Sequence, residues 1–300
     1  MRVILLFLDG VGIGKRNPKT NPFLCANLPV LKHLLNGDVP SQAQKRLHSS
    51  LASLIPVNAT LSVPGLPQSG TGQTAIFTGV NGPKVFGRHF GPYPPTMLRP
   101  IIEAKNIFHQ LKIRSKSVCF ANAFPQRFFD YTSSGTRRLT VTTLACRMAN
   151  VPLLAAKDLR QNVGVSADFT RTQWPELGHP EIRPVTPREA GHHLWNLAEK
   201  HDFTLFEYWL TDHAGHSQNM DHAVDTLERF DEFLGGIFEQ CWLRDSLVIM
   251  ISDHGNLEDL SVKTHTRNPV PCIAAGARAQ EFVSSVRNLT HITPAILNLF

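Results

Sequence analysis

The sequence predicts an α/β fold: a doubly wound, mostly parallel sheet flanked by helices, with a small inserted cap. Two observations carry that expectation for the core. The apolar runs "RVILLFL" before Asp9, "FTLFEYWL" before Asp212 and "SLVIMI" before Asp253 are continuous rather than alternating, as in strands buried on both faces. Between the last two lies a segment of helical period, the signature of a crossover helix in a βαβ unit. The third observation concerns the middle of the chain, where both rhythms stop.

The first run ends in "DGVG". Residues 64–79, "PGLPQSGTGQTAIFTG", then give a glycine-rich turn in which Gly70 and Gly72 keep the backbone slim around Ser69. The following "QTAIF" can begin a helix whose free N–H groups face an anion. From about 82 to 186 the chain is rich in Pro, Arg and Phe, with "GRHFGPYPP" and "FPQRFFDYTSSGTRR". The expected division is therefore a core of residues 1–82 and 187–300 with a cap of residues 83–186. Thr186 as N-cap and Pro187 at the first helical position start a helix over "TPREAGHHLWNLAEK". In "HAVDTLERFDEFLGGIFEQ", Val224, Leu227, Phe230, Leu234 and Phe238 recur at helical spacing. At the end, Thr293 and Pro294 repeat the start signal. There is no internal repeat.

At 300 residues and 42% hydrophobic content the chain can bury a substantial core. No apolar run approaches the roughly 20 residues of a membrane helix, and "MRVILLFLDG" is too short before its first acid for a signal peptide. A cytoplasmic protein is expected. The five cysteines (Cys25, Cys119, Cys146, Cys241, Cys272) are scattered and odd in number, which points to free thiols rather than a disulfide framework or a thiolate zinc site. The formal charge of +6 suits a small anionic ligand, but the 30 Lys and Arg residues form no dense tract with interleaved aromatics. Nucleic acid is thus an unlikely partner.

In open parallel sheets, functional side chains gather at the carboxyl ends of strands. Those ends hold Asp9, Asp212 and His216 in "TDHAGH", Asp253 and His254 in "SDHGN", and His265 in "KTHTRNPVP". Taken singly, an Asp after a strand is usually a turn former or an N-cap; the case is collective. Three carboxylates and three imidazoles suit Zn²⁺ or Mn²⁺, and six ligands exceed what one tetrahedral ion requires. Two divalent ions per chain is the economical reading. His213 is expected to face solvent or a supporting partner, and His201, His222 and His291 are expected to lie elsewhere. A hydroxyl on the glycine-rich loop, from Ser69, Thr71 or Thr74, is a candidate nucleophile that an ion would activate; an ordinary Gly/Ser turn is the alternative.

The motifs "DGVG", "LPQSGTGQ", "DHAGH", "SDHGN" and "THTRNPVP", in this order, resemble the metal-dependent alkaline phosphatase superfamily, in the branch of cofactor-independent phosphoglycerate mutase and phosphopentomutase. They cover both core segments but not the cap. The resemblance implies one metal on Asp212, His216 and His265, and a second on Asp9, Asp253 and His254 with Ser69 bridging towards it. It favours Ser69 because the family's nucleophile is followed three positions on by Gly, here Gly72, and then often by His, here replaced by Gln73. The Cys/Ser-x-Pro-x-Arg pattern of the superfamily's sulfatases is absent.

The implied chemistry is phosphoryl transfer through a phosphoserine. Hydrolysis of a phosphate mono- or diester is the first expectation, a phosphomutase the second, and a non-catalytic metal-binding homologue the third. Arg88, His89, Arg127, Arg137 and Arg138 are candidates for gripping a second anionic group of the substrate, with a solvated basic face as the alternative.

Overall fold

The computed structural model describes residues 1–42, 46–133, 138–241 and 244–300. Its centre is a seven-stranded sheet built from β1 (Arg2–Leu8), β2 (Leu47–His48), β3 (Ala52–Val57), β4 (Val118–Phe120), β7 (Phe203–Tyr208), β8 (Ser246–Ile251) and β9 (Val270–Gly276), in the order β2-β3-β9-β8-β1-β7-β4. A two-stranded parallel ribbon, β5 (Ala123–Phe124) with β6 (Leu154–Ala155), lies apart from it.

The three apolar runs are β1, β7 and β8, and they are neighbours. Strand β1 pairs in parallel with β7 on one side and β8 on the other, with Leu8 opposite Tyr208 and Phe7 opposite Ile251. Their continuous hydrophobicity has a direct cause. Val3, Leu5 and Phe7 enter one buried cluster with Leu205 and Ile249, while Ile4, Leu6 and Leu8 enter the opposite one with Phe206 and Met250. Both faces of these strands are covered, as the period of two requires.

Beyond β8 the sheet changes direction. Strands β9, β3 and β2 join it by antiparallel pairings, so the parallel half is β8-β1-β7-β4. The reason lies in the connection 252–269, which returns to the sheet as β9 at the same edge instead of crossing over with a helix. Because β3 is antiparallel to β9, it runs in the direction of β8 and delivers its following loop, with Ser69, to that edge.

Helix starts follow the expected signals in one place and depart from them in another. Thr186 caps the helix Pro187–Ala198 and forms a capping box with Glu189, and the long helix Met220–Gln240 buries Leu227, Phe230 and Leu234. Thr293, expected as an N-cap, lies inside the helix Ile292–Leu297. Its hydroxyl donates to the Ile76 carbonyl at 2.7 Å, so tertiary packing uses the group that the sequence offered as a cap.

The span 83–186 contributes to both layers. Strand β4 extends the main sheet beside β7, and Ile102, Phe108, Leu111 and Val141 join the core cluster that also holds Ala75 and Phe77. A small separate cluster of Ala123, Leu159, Trp174 and Ile182 organises the remainder. All five cysteines are free, and Cys119, Cys146 and Cys272 are buried. Among the described residues no helix is long and apolar enough to cross a membrane.

Candidate metal centre

Three adjacent parallel strands end at one edge, which is why residues more than two hundred positions apart meet. Asp9 follows β1 directly, and Asp253 and His254 follow β8. After β7 the chain turns at once into the helix Leu210–Ser217, where a loop was expected. Asp212 and His216 thus sit one turn apart on one helix face, with His216 Nε2 3.3 Å from Asp212 Oδ2. His265 arrives on the loop that leads back to β9, its Nε2 3.8 Å from Asp212 Oδ1.

Among the described residues, two groups have ligand atoms close enough to hold a cation: Asp212 with His216 and His265, and Asp9 with Asp212 and His254. Asp212 is common to both, so the two sites adjoin. Asp253 stands beside the second group, its Oδ2 3.6 Å from His254 Nε2. His216 donates through Nδ1 to the Lys263 carbonyl and His265 through Nδ1 to the Pro67 carbonyl, each at 2.8 Å. These bonds fix the tautomer and leave each Nε2 lone pair facing Asp212, the arrangement of a metal-binding imidazole.

The charge balance of the centre calls for cations. Burial, reinforced by the Asp253 charge, raises the Asp9 carboxyl to about 7, and burial raises Asp253 as well. Burial works to lower His254, yet Asp253 and Asp9 outweigh it and push the imidazole up to about 10. His265 moves the other way, down to about 4, through burial and then the charge of His254. The His254 and His265 rings stack at 3.7 Å. Asp9 Oδ1, Asp253 Oδ2 and His254 Nδ1 are buried without a hydrogen bond. The group that faces these carboxylate oxygens is the His254 ring, its Nε2 3.2 Å from Asp9 Oδ1 and 3.6 Å from Asp253 Oδ2; one imidazole does not offset the desolvation of two buried carboxylates, and the pair therefore fits divalent cations.

The helix Ser69–Thr78 begins at Ser69 itself, with Gln68 as N-cap. Of the three candidate hydroxyls, Ser69, Thr71 and Thr74, only that of Ser69 faces the centre, its Oγ 3.0 Å from His254 Nε2. Thr71 donates to the Gln68 carbonyl and Thr74 to the Gly70 carbonyl, so both are bound within the helix. Gln73 donates through Nε2 to Asp9 Oδ2 at 3.4 Å. The glycines are needed for close approach. A Cβ on Gly70 would lie 2.2 Å from the Tyr93 carbonyl oxygen, and one on Gly72 3.1 Å from the Asp253 carbonyl oxygen.

Three residues that sequence reasoning passed over belong here. Asn256 donates through Nδ2 to Asp212 Oδ1 at 2.8 Å and holds that carboxylate in place. Glu258, 1% exposed, accepts from the Gly12 and Asn256 amides, from the Thr266 hydroxyl and from Asn268 Nδ2, tying the loop after β1 to both ends of the connection between β8 and β9. Glu207, near the end of β7, accepts from the Thr142 hydroxyl at 2.5 Å. Burial raises its carboxyl to about 7, the Thr142 bond opposing this and the Asp9 charge adding to it. Its signal was an acid inside an apolar run, "FTLFEYWL".

The basic candidates separate. Arg127 and Arg138 line a cleft that also includes Asp9 and Glu207, whereas Arg88 and His89 line a different, open depression beside Gln68. Arg88 lies over the Phe86 ring at 5.7 Å, and His89 Nε2 is 3.2 Å from the Val63 carbonyl oxygen. Arg137 lies outside the described residues. His213 is exposed and rests edge-on against Trp209 at 4.8 Å.

Comparison with known proteins agrees with this geometry. The chain is 28% identical over 132 residues to a 2,3-bisphosphoglycerate-independent phosphoglycerate mutase of Desulforudis audaxviator; the match covers 42% of this chain and 26% of that protein. The alkaline phosphatase of the Antarctic bacterium TAB5 has the same fold at a TM-score of 0.57 and 15% identity, with 99% of this chain and 97% of that one covered. Leishmania mexicana phosphoglycerate mutase superposes at a TM-score of 0.50 and 11% identity, with 99% and 95% covered. The family model described as the Metalloenzyme superfamily matches residues 1–300, and the chain therefore belongs to that superfamily.

Proposed function

We propose that this protein is a two-metal-dependent phosphoryl-transfer enzyme that hydrolyses a phosphate mono- or diester through a phosphoserine at Ser69. The carrying observation is the Ser69 hydroxyl, 3.0 Å from His254 Nε2, beside two adjoining groups of carboxylate and imidazole ligands. Asp212, His216 and His265 would hold one ion and Asp9, Asp253 and His254 the other. Bound Zn²⁺ or Mn²⁺ would supply the positive charge that favours the Ser69 alkoxide and offsets the phosphate oxygens.

The chain's own residues supply placement. The helix start aims Ser69 Oγ at the centre, the Nδ1 bonds of His216 and His265 hold their rings in orientation, and Asn256 and Gln73 steer Asp212 and Asp9. Ser69 Oγ forms a bond to phosphorus as the ester P–O bond breaks, and the released alkoxide takes a proton from water. Water then attacks the phosphoserine, its oxygen going to phosphate and a proton to solvent, as the P–Oγ bond breaks and returns Ser69 as its alkoxide. Arg127 and Arg138 contact the remainder of the ester, and the segments 122–131, 138–143 and 166–177 provide the wall on that side.

The test is hydrolysis of para-nitrophenyl phosphate and its bis-ester by metal-stripped protein re-supplied with Zn²⁺ or Mn²⁺, in wild type and Ser69→Ala. Metal-restored turnover that the variant lacks, while it keeps its metals, supports the reading. Equal turnover in the variant sinks it. A second reading, a phosphomutase, draws on the names of the curated relatives, although the chain spans only about a quarter of the length of the first of these. Transfer of phosphate back to a substrate hydroxyl, followed by phosphorus NMR, would separate it from hydrolysis.

A further inference from the structure

Beside Asp9 and the buried Glu207 the protein opens into a cleft of about 650 Å³. It lies between the end of β4, the helix Gln126–Ser133 and the segment 166–177, with the residues after β7 closing one side. Much of its wall is apolar and flat: Phe124, Phe128, Leu139, Trp174, Leu177 and Trp209. Phe124 and Phe128 stack at 4.2 Å. The Trp174 N–H is already satisfied by Ser166 Oγ at 2.7 Å, so what that ring offers the cleft is apolar surface. Trp209, one residue past β7, remains 39% exposed. The exposed guanidinium groups of Arg127 and Arg138 line the same cleft.

Such a wall suits one kind of leaving group. A three-carbon hydroxy acid or triose ester carries a few heavy atoms, nearly all polar, and would leave a space of this size mostly wet and the rings without partners. A flat ring system instead gains dispersion contact and water release against Phe124, Phe128 and Trp209. We infer that the substrate is a phosphate ester whose alcohol carries an aromatic ring system, seated in this cleft with the phosphate at the metal centre. This rests on the phosphoryl-transfer reading given above, and the arginines leave room for a second negative charge on the same ester.

The test uses the metal-loaded full chain and two non-hydrolysable probes, naphthylmethyl phosphonate and methyl phosphonate, measured by calorimetric binding. In parallel, turnover is followed for naphthylmethyl phosphate and glycerol 3-phosphate, both esters of alkyl alcohols. The naphthyl probe should bind about tenfold or more tightly than the methyl one, as burial of roughly half a ring face implies. The ratio should shrink several-fold in Phe128→Ala, and by less in Phe128→Leu, which keeps apolar volume and loses the flat ring. Equal affinities for the two probes overturn the inference, whether or not the esters are hydrolysed. Selective binding without hydrolysis of either ester upholds the cleft assignment while removing the hydrolytic reading.

Discussion

Replacing Glu258 by Gln probes how the loop after β1 and the connection between β8 and β9 are held together. The carboxylate is buried and accepts four hydrogen bonds, from the Gly12 and Asn256 amides at 2.8 Å each on Oε2, and from Thr266 Oγ1 and Asn268 Nδ2 on Oε1. In Glu258→Gln one oxygen becomes a donor. Facing the two backbone amides it would meet donors that cannot turn away. It will therefore face Thr266 and Asn268, whose hydroxyl can rotate and whose amide can flip. Two charge-assisted bonds of about 1.5–3 kcal/mol each are lost, and neutral bonds of about 1 kcal/mol each replace them. The net loss is about 1–4 kcal/mol, and the remaining two bonds to the amides weaken as the charge disappears. With an unfolding entropy of about 2.1 cal/mol/K per residue, a 300-residue chain loses roughly 2–6 °C in Tm. Calorimetry of metal-free wild type and variant at neutral pH measures this. A midpoint within about one degree of wild type would refute the tie, because the donors would then have found equal partners elsewhere. Metal affinity should also fall about 10–100-fold, since Asp9, Asp212 and His265 depend on the segments that Glu258 joins.

Further outcomes follow from the same geometry. Elemental analysis should find two divalent ions per chain, and chelation should lower Tm more at pH 8 than at pH 5. The folded-state pKa of Asp9 is raised from 3.8 to about 7, so the stripped protein loses stability as pH rises through that window; a pH-independent effect of chelation would contradict this. Glu207 is raised from 4.5 to about 7, so its ionisation is easier in the unfolded chain and stability again falls as pH rises between those values. Glu207→Gln should leave metal-free stability unchanged near about pH 4 and raise it above pH 7 by at most about 3 kcal/mol; no gain at pH 8 would show the carboxyl to be unstrained. Gly70→Ala places a Cβ against the Tyr93 carbonyl oxygen and should cost about 1–3 kcal/mol in denaturant unfolding, whereas a neutral result would mean the 90–95 loop yields freely.

The parts of the centre that could be read from the chain are those whose local setting is distinctive. Asp9, Asp212, Asp253 and His254 each come at the end of a largely apolar run, and the fold brings them together because β8, β1 and β7 are adjacent and parallel. Glu258 was hidden because "NLEDL" reads like any polar loop; only the packed loops reveal that its carboxylate is buried and has four donors. The direction of β9 was equally hidden. An apolar run does not record whether the connection before it crosses over the sheet or returns at the same edge. The basic residues of the cap were read as one group, yet Arg88 and His89 line one depression while Arg127 and Arg138 line another.

The sequence by itself determined the buried parallel strands, the capping of the helix at Thr186 and the set of metal-binding residue types, since each is written in short-range pattern and composition. Tertiary structure decided which carboxylates and imidazoles come within reach of one another, that of Ser69, Thr71 and Thr74 only Ser69 turns towards His254, and what kind of surface lines the neighbouring cleft. Those depend on distances between side chains far apart in sequence, and a distance of 3.0 Å across 185 residues exists only once β3 and β8 have been brought to end at one edge of the sheet.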